Sequence, residues 1–197
     1  MGATALLVVI KHVAFLFDAQ SPHWKHIAPF EWFLLPHAVA GIVALMAGPL
    51  QFSTRIRASR LALHRLIGRI YIGAVAIAAP IGLYIGVAFE PSPLREEQVA
   101  QGGFWFLCTL VAFLAIRKRN IALHRAWMVR SYAFTFIFVS SRLGAVPGLQ
   151  VVNKLDVTQL TNMLWYLIVA AFLLPDLYNA AVALYGARAS SKDRSGA

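Results

Sequence analysis

The chain has a single cysteine, Cys108, so no disulfide can form within it. Acid is scarce as well: 8 Asp and Glu stand against 18 Lys and Arg, and charged residues make up only 13% of the 197. A soluble domain of this length would expose more charge and would set its apolar residues in amphipathic stripes. HExxH, CxxC and clustered HxxHH are all missing, which argues against a zinc or di-iron box. No DNA- or RNA-binding motif accompanies the net charge of +10, so that charge does not point to nucleic acid. The beginning of the chain has neither a basic n-region nor an A-x-A-like site, which speaks against a cleaved signal peptide.

What the sequence has in abundance is hydrophobic residues, 59% of the total, and they come in long blocks. A helix needs ~20 apolar residues to cross the hydrocarbon of a bilayer. Four blocks reach that length, span A from Phe30 to Phe52, B from Leu61 to Phe89, D from Ile121 to Val146 and E from Gln159 to Tyr185, and a fifth, C from Gln101 to Ile116, is short, with borders expected to extend toward Val99 and Arg117. The fold class read from them is all-α, an integral membrane helical bundle. The segment "ATALLVVIKHVAFLF", with Lys11 and His12 inside it, is too short for a full crossing and reads as a membrane-associated helix or a short sixth span. The expected organisation is therefore an N-terminal segment and loop over 1–29, a transmembrane bundle over 30–186 and a cytoplasmic tail over 187–197.

The cations are not scattered. Arg55, Arg57, Arg60, Arg65 and Arg69 surround the A–B junction. Arg117, Lys118, Arg119, Arg125 and Arg130 surround C–D, and Arg188, Lys192 and Arg194 lie in the tail. If the five spans alternate, all of these fall on one side, and most acids (Glu31, Glu90, Glu96, Glu97, Asp156) fall on the other. The positive-inside rule predicts a multi-pass inner-membrane protein with its C-terminus in the cytoplasm. The same basic belt is expected to attract anionic lipid headgroups. Small residues at spacing four, Ala40, Ala44 and Gly48 in A and Ala74, Ala78, Gly82 and Gly86 in B, predict close helix packing.

Two span openings resemble each other. "RASRLALHRLIGRIY" carries Arg57, Arg60, His64, Arg65, Gly68 and Tyr71, and "RKRNIALHRAWMVRSY" carries Arg117, Asn120, His124, Arg125, Met128, Ser131 and Tyr132. Leu-His-Arg is identical, and B and D run parallel, as in folds built from internal repeats. Helical spacing predicts one stripe of Arg57, Arg60, His64, Gly68 and Tyr71 and another of Arg117, Asn120, His124, Met128 and Ser131. Two imidazoles just inside the membrane, with arginines just outside, match the polarity of a b-type haem: iron for His64 and His124, propionates for Arg57, Arg60, Arg65 and Arg125. Gly68 is expected to leave room for the ring. His37 and Gly41 repeat the His-Gly spacing at the opposite end and form a second candidate site, although a packed or hydrogen-bonded His37 is the plainer reading.

Two other readings stand beside haem. The histidines and arginines can be interfacial anchors that snorkel to headgroups. They can equally serve another anion, such as a quinone headgroup, a lipid phosphate or a small metabolite, in a binding or transport protein. An accessory subunit of a larger membrane complex, or a homo-oligomer, is the third class. Deeper in the membrane, Asp176 and Arg130 fall at similar depth and are expected to pair, since bare charges in hydrocarbon are costly. Arg142 is expected at the outer surface with Glu31 as partner.

The motifs "LLPHAVAGIVALMAGPLQF", "LHRLIGRIY" and "LHRAWMVRSYAFTF", followed by "SRL", resemble a bacterial membrane-protein family catalogued as domain of unknown function 2306. The likeness runs from about Phe30 to the end of span E. It implies a multispan helical inner-membrane protein and assigns no reaction. The short N-terminus departs from relatives that carry a full hydrophobic span there.

Overall fold

A computed structural model describes residues 31–90, 92–142 and 155–195, with side chains to 137 in the fifth helix and to 180, except 179, in the last. The expected N-terminal helix, with Lys11 and His12, and the contact between Arg142 and Glu31 lie outside what is described. The elements in chain order are α1 (Glu31–Phe52), α2 (Thr54–Ser59), α3 (Leu61–Phe89), α4 (Leu94–Arg117), α5 (Ile121–Arg142) and α6 (Val157–Ser195). The described residues are a helical bundle without strands.

Four of these helices are long and apolar enough to cross a membrane: α1, α3, α4 and α6 over Val157–Tyr178. α5 is as long as α1, at 22 residues. Its composition sets it apart, because His124, Arg125, Arg130, Ser131 and Thr135 dilute its hydrophobicity. Those of them that are buried supply polar contacts inside the bundle. A three-residue turn returns α5 alongside α4, and α5 also packs against α1 and α6. It is the most polar of the five long helices.

Four boundaries differ from the hydropathy reading. α4 begins at Leu94 rather than Gln101, because the Glu96 carboxylate in its first turn suits the positive end of the helix dipole and continues the helix beyond the apolar block. α6 runs on through 187–195, so the residues expected as a free tail are helical to Ser195. Arg57 does not share a helix with His64. It belongs to α2, which Ser53 caps by accepting from Ile56 N, and the chain breaks at Arg60 (φ −138°, ψ 62°) before α3 starts. Likewise Arg117 closes α4 instead of leading into α5. The two predicted stripes are therefore interrupted below their histidines.

The core begins where small residues let backbones approach. Ala40, Ala44 and Ala47 of α1 and Ala74, Ala78 and Ala79 of α3 are buried together. Gly48 of α1 takes the ring of Tyr132 from α5, and an added Cβ would overlap that ring. Gly102 of α4 accepts Leu83 of α3 in the same way, at 3.1 Å. On the far side, Phe104, Phe134 and Phe172 join α4, α5 and α6 through ring centroids 5.1–6.1 Å apart. In lipid, packing of this kind, rather than expulsion of water, holds helices together.

Candidate functional site at the basic end

The α4–α5 turn explains how His124 is positioned. Asn120 N donates to Ala115 O (2.9 Å) and Arg119 N to Ile116 O (3.0 Å), the paired bonds of a Schellman end. Arg119 takes the left-handed conformation that this motif requires, with φ 58°. Asn120 then caps the next helix, its Oδ1 accepting from Leu123 N at 3.0 Å. One asparagine closes one helix and opens another, and His124 emerges one turn later. Its Nδ1 lies 2.9 Å from Ala112 O of α4. A carbonyl only accepts, so Nδ1 carries the proton and the Nε2 lone pair is left available. Ligating histidines are commonly oriented in this way.

His64 occupies the equivalent place in α3. Its N–H bonds to Arg60 O (3.0 Å), as that of His124 bonds to Asn120 O (3.0 Å). The imidazole is half-buried and its Nδ1 has no hydrogen-bond partner among the described residues. His124, Arg57 and Arg65 all lie within electrostatic reach of it. Two turns further on, Tyr71 OH meets Ser131 Oγ at 2.7 Å. Seven residues separate His64 from Tyr71 and His124 from Ser131, so parallel helices in contact at one pair hold the other pair at matching height.

Not every predicted site residue joins this group. Over Gly68 the space belongs to Gln51, whose Oε1 lies 3.1 Å from where a Cβ would be. Gln51 Nε2 also donates to His64 O at 3.0 Å. Arg57 is half-buried, while Arg60, Arg65 and Arg125 are exposed. At the opposite end, His37 Nδ1 donates to Ala78 O (2.8 Å), and its ring fills the gap left by Gly82. Gly41 faces open space.

Arg130 bonds Asp176 through Nη2 and Oδ1, gives Nη1 to Ala126 O (3.1 Å) and lies over the Trp127 ring at 5.2 Å. Arg130 is 12% exposed and Asp176 62%, so the pair sits at the bundle surface rather than in its core. Beside it, between α5 and α6, runs an apolar groove of about 410 Å³ lined by Val129, Ala133, Leu174, Pro175 and Tyr178 among others.

A buried hydroxyl network occupies the centre. Tyr71 OH contacts Ser131 Oγ and Thr135 Oγ1 (3.0 Å), Ser131 Oγ contacts Thr109 Oγ1 (2.7 Å), and Thr109 donates to Trp105 O (2.8 Å). All of these side chains are under 10% exposed. The predicted stripes include Tyr71 and Ser131 but miss Thr109, Thr135 and Gln51. A single hydroxyl inside an otherwise apolar block, as Thr109 is, was the available signal.

Bundle and network together define a multispan helical membrane protein. The family model described as predicted membrane protein (DUF2306) matches residues 34–179, and the chain belongs to that family. Comparison with curated proteins and with solved structures gives no match.

Proposed function

We propose that the protein is a small b-type cytochrome that holds haem between α3 and α5 at the basic end and carries electrons. The observation behind this reading is the histidine pair. His124 is oriented by a backbone carbonyl with Nε2 available, and the half-buried His64 has an unpartnered ring nitrogen at matching height. His64 and His124 would be the axial ligands, and Arg57, Arg60, Arg65 and Arg125 would meet the propionates. The haem would supply one-electron chemistry, while the chain orients the imidazoles and neutralises the acid edge. Gln51 stands where Gly68 would admit a ring, so that amide must swing aside on loading. By the same reading the basic end faces the cytoplasm of a bacterial inner membrane, with anionic lipid around it.

Reduced-minus-oxidised spectra of protein purified in detergent after haem-replete expression test the proposal. Soret and α bands are expected, and both should be lost in His64→Ala and in His124→Ala. A haem-replete preparation with no such bands refutes it.

A second reading rests on the groove beside the Arg130–Asp176 pair. An apolar channel ending at a charge pair suits a lipid or quinone, with its tail in the groove and its head at the ions. Native mass spectrometry of gently solubilised protein should then retain such a molecule, and Arg130→Ala should release it.

A further inference from the structure

Among the described residues, buried side-chain atoms without a hydrogen-bond partner are three: His64 Nδ1, Trp105 Nε1 and Glu97 Oε1. Glu97 is 1% exposed, and it makes no ion pair with another described residue. Among the residues whose side chains are described, the charged groups at its end of the bundle are Glu31 of α1, Glu90 after α3, Arg95 and Glu96 of α4 and Asp156 before α6. Arg95, the cation among them, gives its Nε to Glu90 O at 2.9 Å. An acid buried without a cation is tolerated as the neutral, proton-carrying form, and even then its polar atoms are costly to leave bare.

The surroundings give this acid a direction. On α4, positions 97, 101, 105 and 109 lie on one face, four apart. Gln101 is half-buried one turn from both Glu97 and Trp105. The Trp105 indole lies near the Tyr71 hydroxyl without completing a hydrogen bond to it. Beyond it come the Tyr71, Thr109, Ser131 and Thr135 hydroxyls, and beyond them Ala112 O, His124 and His64. Polar groups thus line the seam of α3, α4 and α5 from the acidic end to the basic end. Glu97 and Trp105 are ~12 Å apart in rise, and long side chains on a helix lean towards its N-terminus, which shortens the gap from the tryptophan side. Buried water needs two to four polar partners, and the unpartnered Glu97 and Trp105 atoms, with Gln101 at the helical position between them, are candidates for that role.

We propose that Glu97 is a proton-binding site embedded in the bundle, exchanging its proton with water that enters this polar seam. The proton resides on the carboxyl and leaves to water as the carboxylate forms; no other bond changes. A proton held there can balance charge that arrives at the basic end. The site does not depend on haem, and its test uses no haem signal.

Two measurements on the full chain decide it. Dicyclohexylcarbodiimide, an apolar reagent that adds to protonated carboxyls in apolar surroundings, should modify Glu97 and leave Glu90 and Glu96 unmodified in a mass-spectrometric map. In proteoliposomes, infrared spectra should show a protonated-carboxyl band that Glu97→Gln removes and that shifts within minutes of transfer to deuterium oxide. Absence of both adduct and band means an ionised Glu97 and overturns the proposal. A band that is present but does not shift means a dry, isolated acid and overturns it equally. If Glu97→Gln fails to fold, adduct mapping and deuterium shift in the unaltered protein still separate these outcomes.

Discussion

Gly48 and Gly41 are both glycines of α1, yet they face opposite conditions. A Cβ on Gly48 would enter the Tyr132 ring, whereas one on Gly41 would meet nothing within 4 Å. Gly48→Ala is therefore expected to cost ~1–3 kcal/mol through overpacking. Gly41→Ala is expected to stay within about 0.5 kcal/mol of neutral. Thermal unfolding in detergent separates the two, and Tyr132→Ala should recover part of the Gly48→Ala loss, since the two changes share one contact. The hydroxyl network makes a sharper demand. Tyr71→Phe removes the hydroxyl that Ser131 and Thr135 share, while Ser131 keeps Thr109 and Thr135 keeps Ser131 O, so the loss is that of a net hydrogen bond, ~0.5–1.5 kcal/mol. A Tyr71→Phe protein as stable as the parent would show that water already serves those hydroxyls.

Among the helices, α5 depends most on its ends. It cannot rely on hydrophobicity to the extent that α3 can, and its direction is set by three residues, Lys118 to Asn120. Asn120→Ala removes the acceptor for Leu123 N and is expected to destabilise by ~1 kcal/mol, read as a lower unfolding temperature by circular dichroism. Arg119→Gly should act in the opposite direction. A left-handed backbone costs an ordinary residue roughly 1–2 kcal/mol, and glycine avoids most of that. Because His124 follows directly on this turn, Asn120→Ala is also expected to weaken any haem spectrum more than its small stability loss would account for.

For the molecule as a whole, charge asymmetry is the dominant feature. Arginines crowd the ends of α2, α3, α4 and α5 that meet at one surface, and most of the acids gather at the other. The proposed orientation predicts that a reporter fused after Ser195 is active only in its cytoplasmic form. A reporter inserted at Ser92, between α3 and α4, should be active only in its exported form. The opposite pattern would invert the proposed haem and proton sites with respect to the two compartments.

Much of this was legible in the residues alone. Helix positions follow from apolar blocks, the close contact of α1 and α3 from small residues every four positions, and the clustering of cations from their place between blocks. These are local or periodic properties, and a periodic pattern survives without knowledge of neighbours. The break at Arg60 was not legible, because a helix and a kinked helix share one hydropathy. Nor was the occupation of Gly68 by Gln51, 17 positions earlier, or the burial of Glu97, which as a sequence symbol is one more acid in a loop. Those depend on which faces meet. Composition settles that these helices belong in a membrane; only their packing decides which polar groups are sealed inside it, because burial belongs to pairs of surfaces and not to any one stretch of chain.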